Sequence, residues 1–123
     1  MNQKPPFAAA LSEQTCGPAI QIWHLSGKML GGSCCYDFLE TVREKVGQGQ
    51  KYIILDLSDI SLANSTGIGV LASIYNAAQG AGGFLTLSGA NDRVQSVLKI
   101  VNLWRMVKSF DTLDEACAHV KEQ

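Results

Sequence analysis

A chain of 123 residues with 46% apolar side chains and a formal net charge of -1 has the size and composition of one globular domain, long enough for a core and too short for two. The near-neutral charge excludes the basic face or stripe of a nucleic-acid binder, so nucleic acid is not expected as a partner. No run approaches the roughly 18 to 20 apolar residues that span a bilayer, so direct membrane insertion is not expected either.

Residues 1 to 6 are polar and carry two prolines, and they read as a frayed N-terminus ahead of a single domain over 7–123. Phe7 to Leu11 is shorter than a signal-peptide core and only Lys4 precedes it, which points to a cytoplasmic protein. Phe7 to Gln14 reads as an edge strand, Cys16-Gly17-Pro18 as a turn, and Ala19 to Leu25 as a second strand, the two strands forming an antiparallel hairpin. Gly31-Gly32-Ser33 then introduces a helix to about Val46, with Tyr36, Leu39, Val42, Arg43 and Val46 at near-helical spacing and Ser33 as its cap. Gly47-Gln48-Gly49-Gln50 ends it.

Tyr52 to Leu57 is an almost unbroken apolar run, the pattern of a strand buried on both faces. A short loop through Ser58 to Ser65 leads to a helix over Thr66 to Gln79, read from Ile68, Leu71, Ala72, Tyr75 and Ala78. A strand at Phe84 to Ser88, a helix at Asp92 to Ile100, a strand at Met106 to Phe110 and a helix at Leu113 to Lys121 follow. Thr112 and Glu115 form a capping box at the start of the last helix. This alternation predicts an α/β fold: a mixed, mostly parallel sheet of four or five strands flanked by about four helices.

The chemistry-bearing residues form no catalytic or metal set. Cys16, Cys34, Cys35 and Cys117 lack zinc-ligand spacing and fit reduced thiols, and His24 and His119 have no carboxylate or cysteine at ligand spacing in the sequence. Asp56 is a lone carboxylate, so neither an enzyme nor a cofactor is expected. Gly67-Ile68-Gly69-Val70-Leu71-Ala72 matches the dinucleotide fingerprint G-x-G-x-x-A, but nine residues separate Leu57 from Gly67. In that fingerprint the glycines follow the strand almost at once, which speaks against nucleotide binding.

Asn64, Ser65 and Thr66 lie where a helix N-terminus needs a side-chain oxygen, and taken alone Ser65 and Thr66 read as caps. The same helix start favours an anion through its free amides and dipole. Close packing on the sheet accounts for Gly67 and Gly69, and so does a smooth surface that lets another protein reach Ser65. Leu62 and Ala63 read as exposed loop residues beside that hydroxyl, whereas Trp104, Met106 and Val107 read as a core anchor.

The run from Tyr52 through Asp56-Leu57 to Asn64-Ser65-Thr66-Gly67-Ile68-Gly69 resembles the STAS domain. Within that family it resembles the anti-sigma factor antagonists, whose pattern is an apolar strand ending in Asp-Leu and then Asp-Ser-Ser/Thr-Gly-Leu/Ile-Gly. Ile20 to Leu25 with Ser26-Gly27-Lys28-Met29-Leu30 looks like the family's second strand and Leu-x-Gly-x-Leu turn. Gly82 to Gly89, Leu103 to Val107 and Asp114-Glu115-Ala116 also fall in family order. The resemblance implies that Ser65 is the phosphoacceptor, with Thr66 at the helix start, and that Leu62, Ala63, Asn64, Ser65, Thr66, Gly67, Ile68 and Gly69 meet the partner. The implied partners are an anti-sigma factor that is also a serine kinase, and a phosphatase acting on phosphorylated Ser65. Asn64 departs from the family's Asp: it caps equally well but removes a charge that would repel an incoming phosphate and could bond a basic group. The alternative is a STAS binding or scaffold subunit that is never phosphorylated, for example in a membrane lipid-transport ATPase complex.

Overall fold

The computed structural model describes residues 7–13 and 17–122. The expectations for residues 1–6, Gln14 and Cys16 therefore lie outside the described residues. Five strands and four helices follow in chain order: β1 (Phe7–Leu11), β2 (Ile20–Met29), α1 (Ser33–Gly47), β3 (Tyr52–Ala63), α2 (Ser65–Gly80), β4 (Phe84–Ser88), α3 (Asp92–Ile100), β5 (Lys108–Phe110) and α4 (Leu113–Lys121). The strands lie side by side in sequence order, with β1 antiparallel to β2 and every other pair parallel.

Tyr52 to Leu57 is apolar apart from Asp56 because helices cover both sides of the sheet there. Trp23, Leu25, Ile53, Leu55, Leu57, Leu85 and Leu87 join Phe38, Val42, Ile68, Leu71, Ile74, Val94 and Leu98 in the larger core, under α1, α2 and α3. On the opposite face Ile22 and Ile54 pack with Ala116, Cys117 and Val120 of α4. The middle strand thus sits in a three-layer sandwich, and burying one such Leu or Ile contributes about 1.5 to 3 kcal/mol.

Four expectations need correction. Ser58 to Ala63 is strand, not loop: β3 continues alongside β2, pairing Ser26 with Asp59, Gly27 with Ile60, Lys28 with Leu62 and Met29 with Ala63. Ser26 to Met29 likewise belongs to β2 rather than to a turn, and its pairing shifts twice, after His24 and after Gly27. The cap position of α1 is Gly32, with no side-chain cap bond, so Ser33 is the first helical residue and not the cap. The last strand begins at Lys108 rather than Met106, and of the apolar residues before it Leu103 and Val107 are buried while Met106 is 54% exposed.

The start of α2 as the candidate functional site

The end of β3 delivers the chain to α2 without slack. Asn64 N-H donates to the Met29 carbonyl at 3.1 Å, extending the β2–β3 pairing to the residue before the helix. The Asn64 backbone is extended, and its Oδ1 accepts from Gly67 N-H at 2.8 Å, which satisfies one of the helix's unpaired amides. The other end of the amide donates over 3.5 Å to the Leu30 carbonyl, a contact that a carboxylate could not make. Asn64 is therefore the cap, and Ser65 and Thr66, expected as caps, are not.

That leaves Ser65 as the first residue of the helix, exposed, with a hydroxyl that bonds to none of the described residues. No acidic residue lies in the first turn of α2. The amides there have no carbonyl of an earlier turn to bind, so an added anion meets free donors and the positive end of the dipole.

The connection from β2 to α1 holds this helix start from the side. A Cβ on Gly67 would collide with the Met29 carbonyl oxygen, so the helix can approach β2 this closely only with glycine there. Gly31 has φ +86°, and a Cβ on it would strike the Thr66 methyl. By contrast, a Cβ on Gly69 would meet nothing within 4 Å. Packing explains Gly67 and leaves Gly69 unexplained.

Of the eight residues expected at a partner surface, Asn64, Ser65, Thr66 and Gly69 are exposed and Leu62 is half-buried. Ala63, Gly67 and Ile68 are buried, because Ala63 ends β3 and the other two face the sheet; they shape the surface from beneath. Asn91, which the sequence reading did not single out, ties α3 to this region. Its amide donates to the Ile60 and Ser61 carbonyls at 3.0 and 3.2 Å while its Oδ1 caps Val94 N-H at 2.9 Å. The Asn before Asp92 is a helix-start signal, but its reach back to β3 could not be read from spacing.

The opposite face carries a polar cluster that the strand register assembles. His24 and Asp56 are paired residues on β2 and β3, and His24 Nδ1 lies 2.9 Å from Asp56 Oδ2. The histidine therefore has the carboxylate companion that linear spacing did not reveal. Asp56 Oδ1 accepts from Ser58 Oγ at 2.7 Å and from Ser58 N-H at 3.1 Å. Burial pushes the Asp56 carboxyl up, but the bonds from Ser58 and His24 and the attraction to His24 outweigh it and hold the carboxyl below its ordinary 3.8. Both bonds of Ser58 go to the acid and its hydroxyl is not engaged by the imidazole, so this is a strand-linking network and not a nucleophile with its base. Among the described residues no three His, Cys, Asp or Glu side chains come together as a metal site.

The STAS domain profile matches residues 16–116. The chain belongs to the STAS domain family. A Thermotoga neapolitana relative, provisionally named an anti-sigma factor antagonist, is 40% identical over 78 residues, which is 63% of this chain and 69% of that one. The corresponding Thermotoga maritima protein is 36% identical over 80 residues, 65% of this chain and 71% of its own. A Thermotoga maritima crystal structure of the same description superimposes with TM-score 0.73 at 29% identity, covering 94% of each chain. The anti-sigma factor antagonist SpoIIAA in its unphosphorylated form shares the fold at TM-score 0.79 and 19% identity, over 94% of this chain and 98% of that one. Members of this STAS group are regulatory proteins rather than enzymes.

Proposed function

We propose that this STAS domain is an anti-sigma factor antagonist in a partner-switching pathway. Unmodified, it binds an anti-sigma factor that is also a serine kinase, and sigma is released. The kinase then phosphorylates Ser65, the antagonist lets go, and a phosphatase restores the unmodified form. The setting is the cytoplasm; among the described residues no helix is long and apolar enough to cross a membrane.

The observation that supports this reading best is the division of labour at the helix start. Asn64 supplies the cap, so the exposed Ser65 hydroxyl is left for another protein's chemistry. With no base beside it among the described residues, the hydroxyl needs a partner kinase to supply ATP and to align the attack in line with the transferred phosphoryl group. About two negative charges added at a close interface then disrupt it by repulsion and desolvation.

Mass spectrometry of the protein from its own cells tests the modification: one phosphate, mapped to Ser65, is expected. Ser65→Ala should abolish labelling by the cognate kinase and leave the unfolding curve unchanged. Full labelling of Ser65→Ala, with the phosphate on Thr66 or Ser61, would refute the assignment. Protein that never carries phosphate would favour the scaffold role.

A further inference from the structure

A groove of about 230 Å³ opens beside Ser65, between α2 and the connection from α3 to β5. Ser65, Gly69, Ala72 and Asn76 line it from the helix, and Val101 and Met106 from the connection. The connection is a fixed turn. Asn102 takes the left-handed conformation at φ 68°, and Leu103 and Trp104 N-H both donate to the Leu98 carbonyl at 2.9 and 3.1 Å. Leu103 and Val107 are driven into the core, while Ile100, Val101 and Met106 are left 82%, 40% and 54% exposed. An apolar edge held in place at the surface next to a hydroxyl is a prepared contact and not a frayed end.

The distribution of charge says what fits there. No charged residue occurs between Asp59 and Asp92, so the whole of α2 is neutral. From Arg93 to Phe110 the chain carries Arg93, Lys99, Arg105 and Lys108 and no acid, although the net charge of the protein is -1. The residues that line the groove carry no charge, and the exposed Lys99 and Arg105 flank its lining residues Val101 and Met106 in the chain with no acid among them. Resting on the antagonist reading for the identity of its owner, the geometry points to an acidic amphipathic segment of the anti-sigma factor as the occupant. Its apolar side chains fill the groove over Gly69 and Ala72, and its carboxylates face Lys99 and Arg105. Gly69 then has its reason: a side chain there would narrow the groove. Ser65 stands at the groove's end, so a phosphate on it faces the acidic segment and repels it directly.

Two probes separate this inference from the reading on which it rests. The first is a synthetic amphipathic helical peptide with a Leu face and a Glu flank, beside the same peptide with Lys for Glu, titrated into the 15N-labelled protein. The acidic peptide should shift the amides of Gly69, Ala72, Val101 and Met106, and the basic one should not. Met106→Glu and Arg105→Glu should each weaken the acidic peptide at least tenfold, and Tyr36→Glu, on the exposed side of α1, should not. Equal response to both peptides, or none to either, overturns the groove assignment. The second probe is the anti-sigma factor itself. If it binds wild type and Met106→Glu equally, the groove is not its dock although the antagonist reading stands. If it ignores wild type while the acidic peptide occupies the groove, the groove stands and the antagonist reading falls.

Discussion

Gly67 and Gly69 lie two positions apart in one helix and answer to different constraints. A methyl group on Gly67 meets a backbone carbonyl that cannot swing away, so Gly67→Ala should destabilise by about 1 to 3 kcal/mol, as overpacking does. A methyl group on Gly69 meets open space, so Gly69→Ala should raise stability by about 0.5 to 1 kcal/mol through helix propensity while weakening partner binding. Denaturant unfolding of both variants checks the signs, and equal effects would contradict this division. Asn64 yields a second pair. Asn64→Ala removes the cap bond to Gly67 and should cost about 1 kcal/mol. Asn64→Asp keeps the acceptor and loses only the long donation to Leu30, so its stability should stay within about 0.5 kcal/mol of wild type. At this scale the sequence located the helix start and left three adjacent polar residues as candidates for its cap, of which Asn64 makes the bond. Which of three adjacent polar side chains caps a helix depends on where the strand before it stops.

At the scale of elements, the second half of β3 shows where pattern reading fails. Along Ser58 to Ala63 the buried residues are Ile60 and Ala63, a spacing of three, because the pairing with β2 shifts twice and each shift turns the strand. Bulges break the period of two that identifies a strand, and two serines and an aspartate then read as a loop. The segment from Leu103 to Val107 misleads in the opposite sense: past the left-handed turn at Asn102 its ends are buried and Met106 is exposed. The His24–Asp56 link between β2 and β3 was likewise hidden, since it needs the strand register and not the sequence spacing. It also predicts a pH dependence. The folded-state carboxyl of Asp56 lies below its unfolded value, so its contribution is present above about pH 4 and is lost as the pH falls through the depressed folded value. Asp56→Asn should therefore flatten the acid limb of stability measured by urea unfolding from pH 7 downwards. An acid limb identical to wild type would show that the network adds nothing.

The whole molecule was the most legible level. Alternating strands and helices dictated a mostly parallel sheet, and the four helices, β4 and β5 lie within two residues of their expected bounds, while β2 and β3 run four and six residues further than their patterns showed. The groove beside Ser65 was invisible because it joins residues 65–76 to residues 101–106, which only the folded chain brings together. At this level the claim is a switch in which stability and binding part company. A phosphate on Ser65 meets a helix N-terminus that favours an anion by about 0.3 to 1 kcal/mol, so the fold should hardly change or should gain slightly. The same charge at an interface fitted to a neutral hydroxyl loses its water without a partner. Ser65→Asp carries only part of that charge and should weaken binding less than phosphorylation does. The deciding measurement is calorimetric titration of unmodified, Ser65→Asp and Ser65-phosphorylated protein against the cognate anti-sigma factor, with thermal unfolding of each. Phosphorylation should leave Tm the same or higher and weaken binding at least tenfold, about 1.4 kcal/mol. Phosphorylated protein that binds as tightly as the unmodified form would contradict the switch.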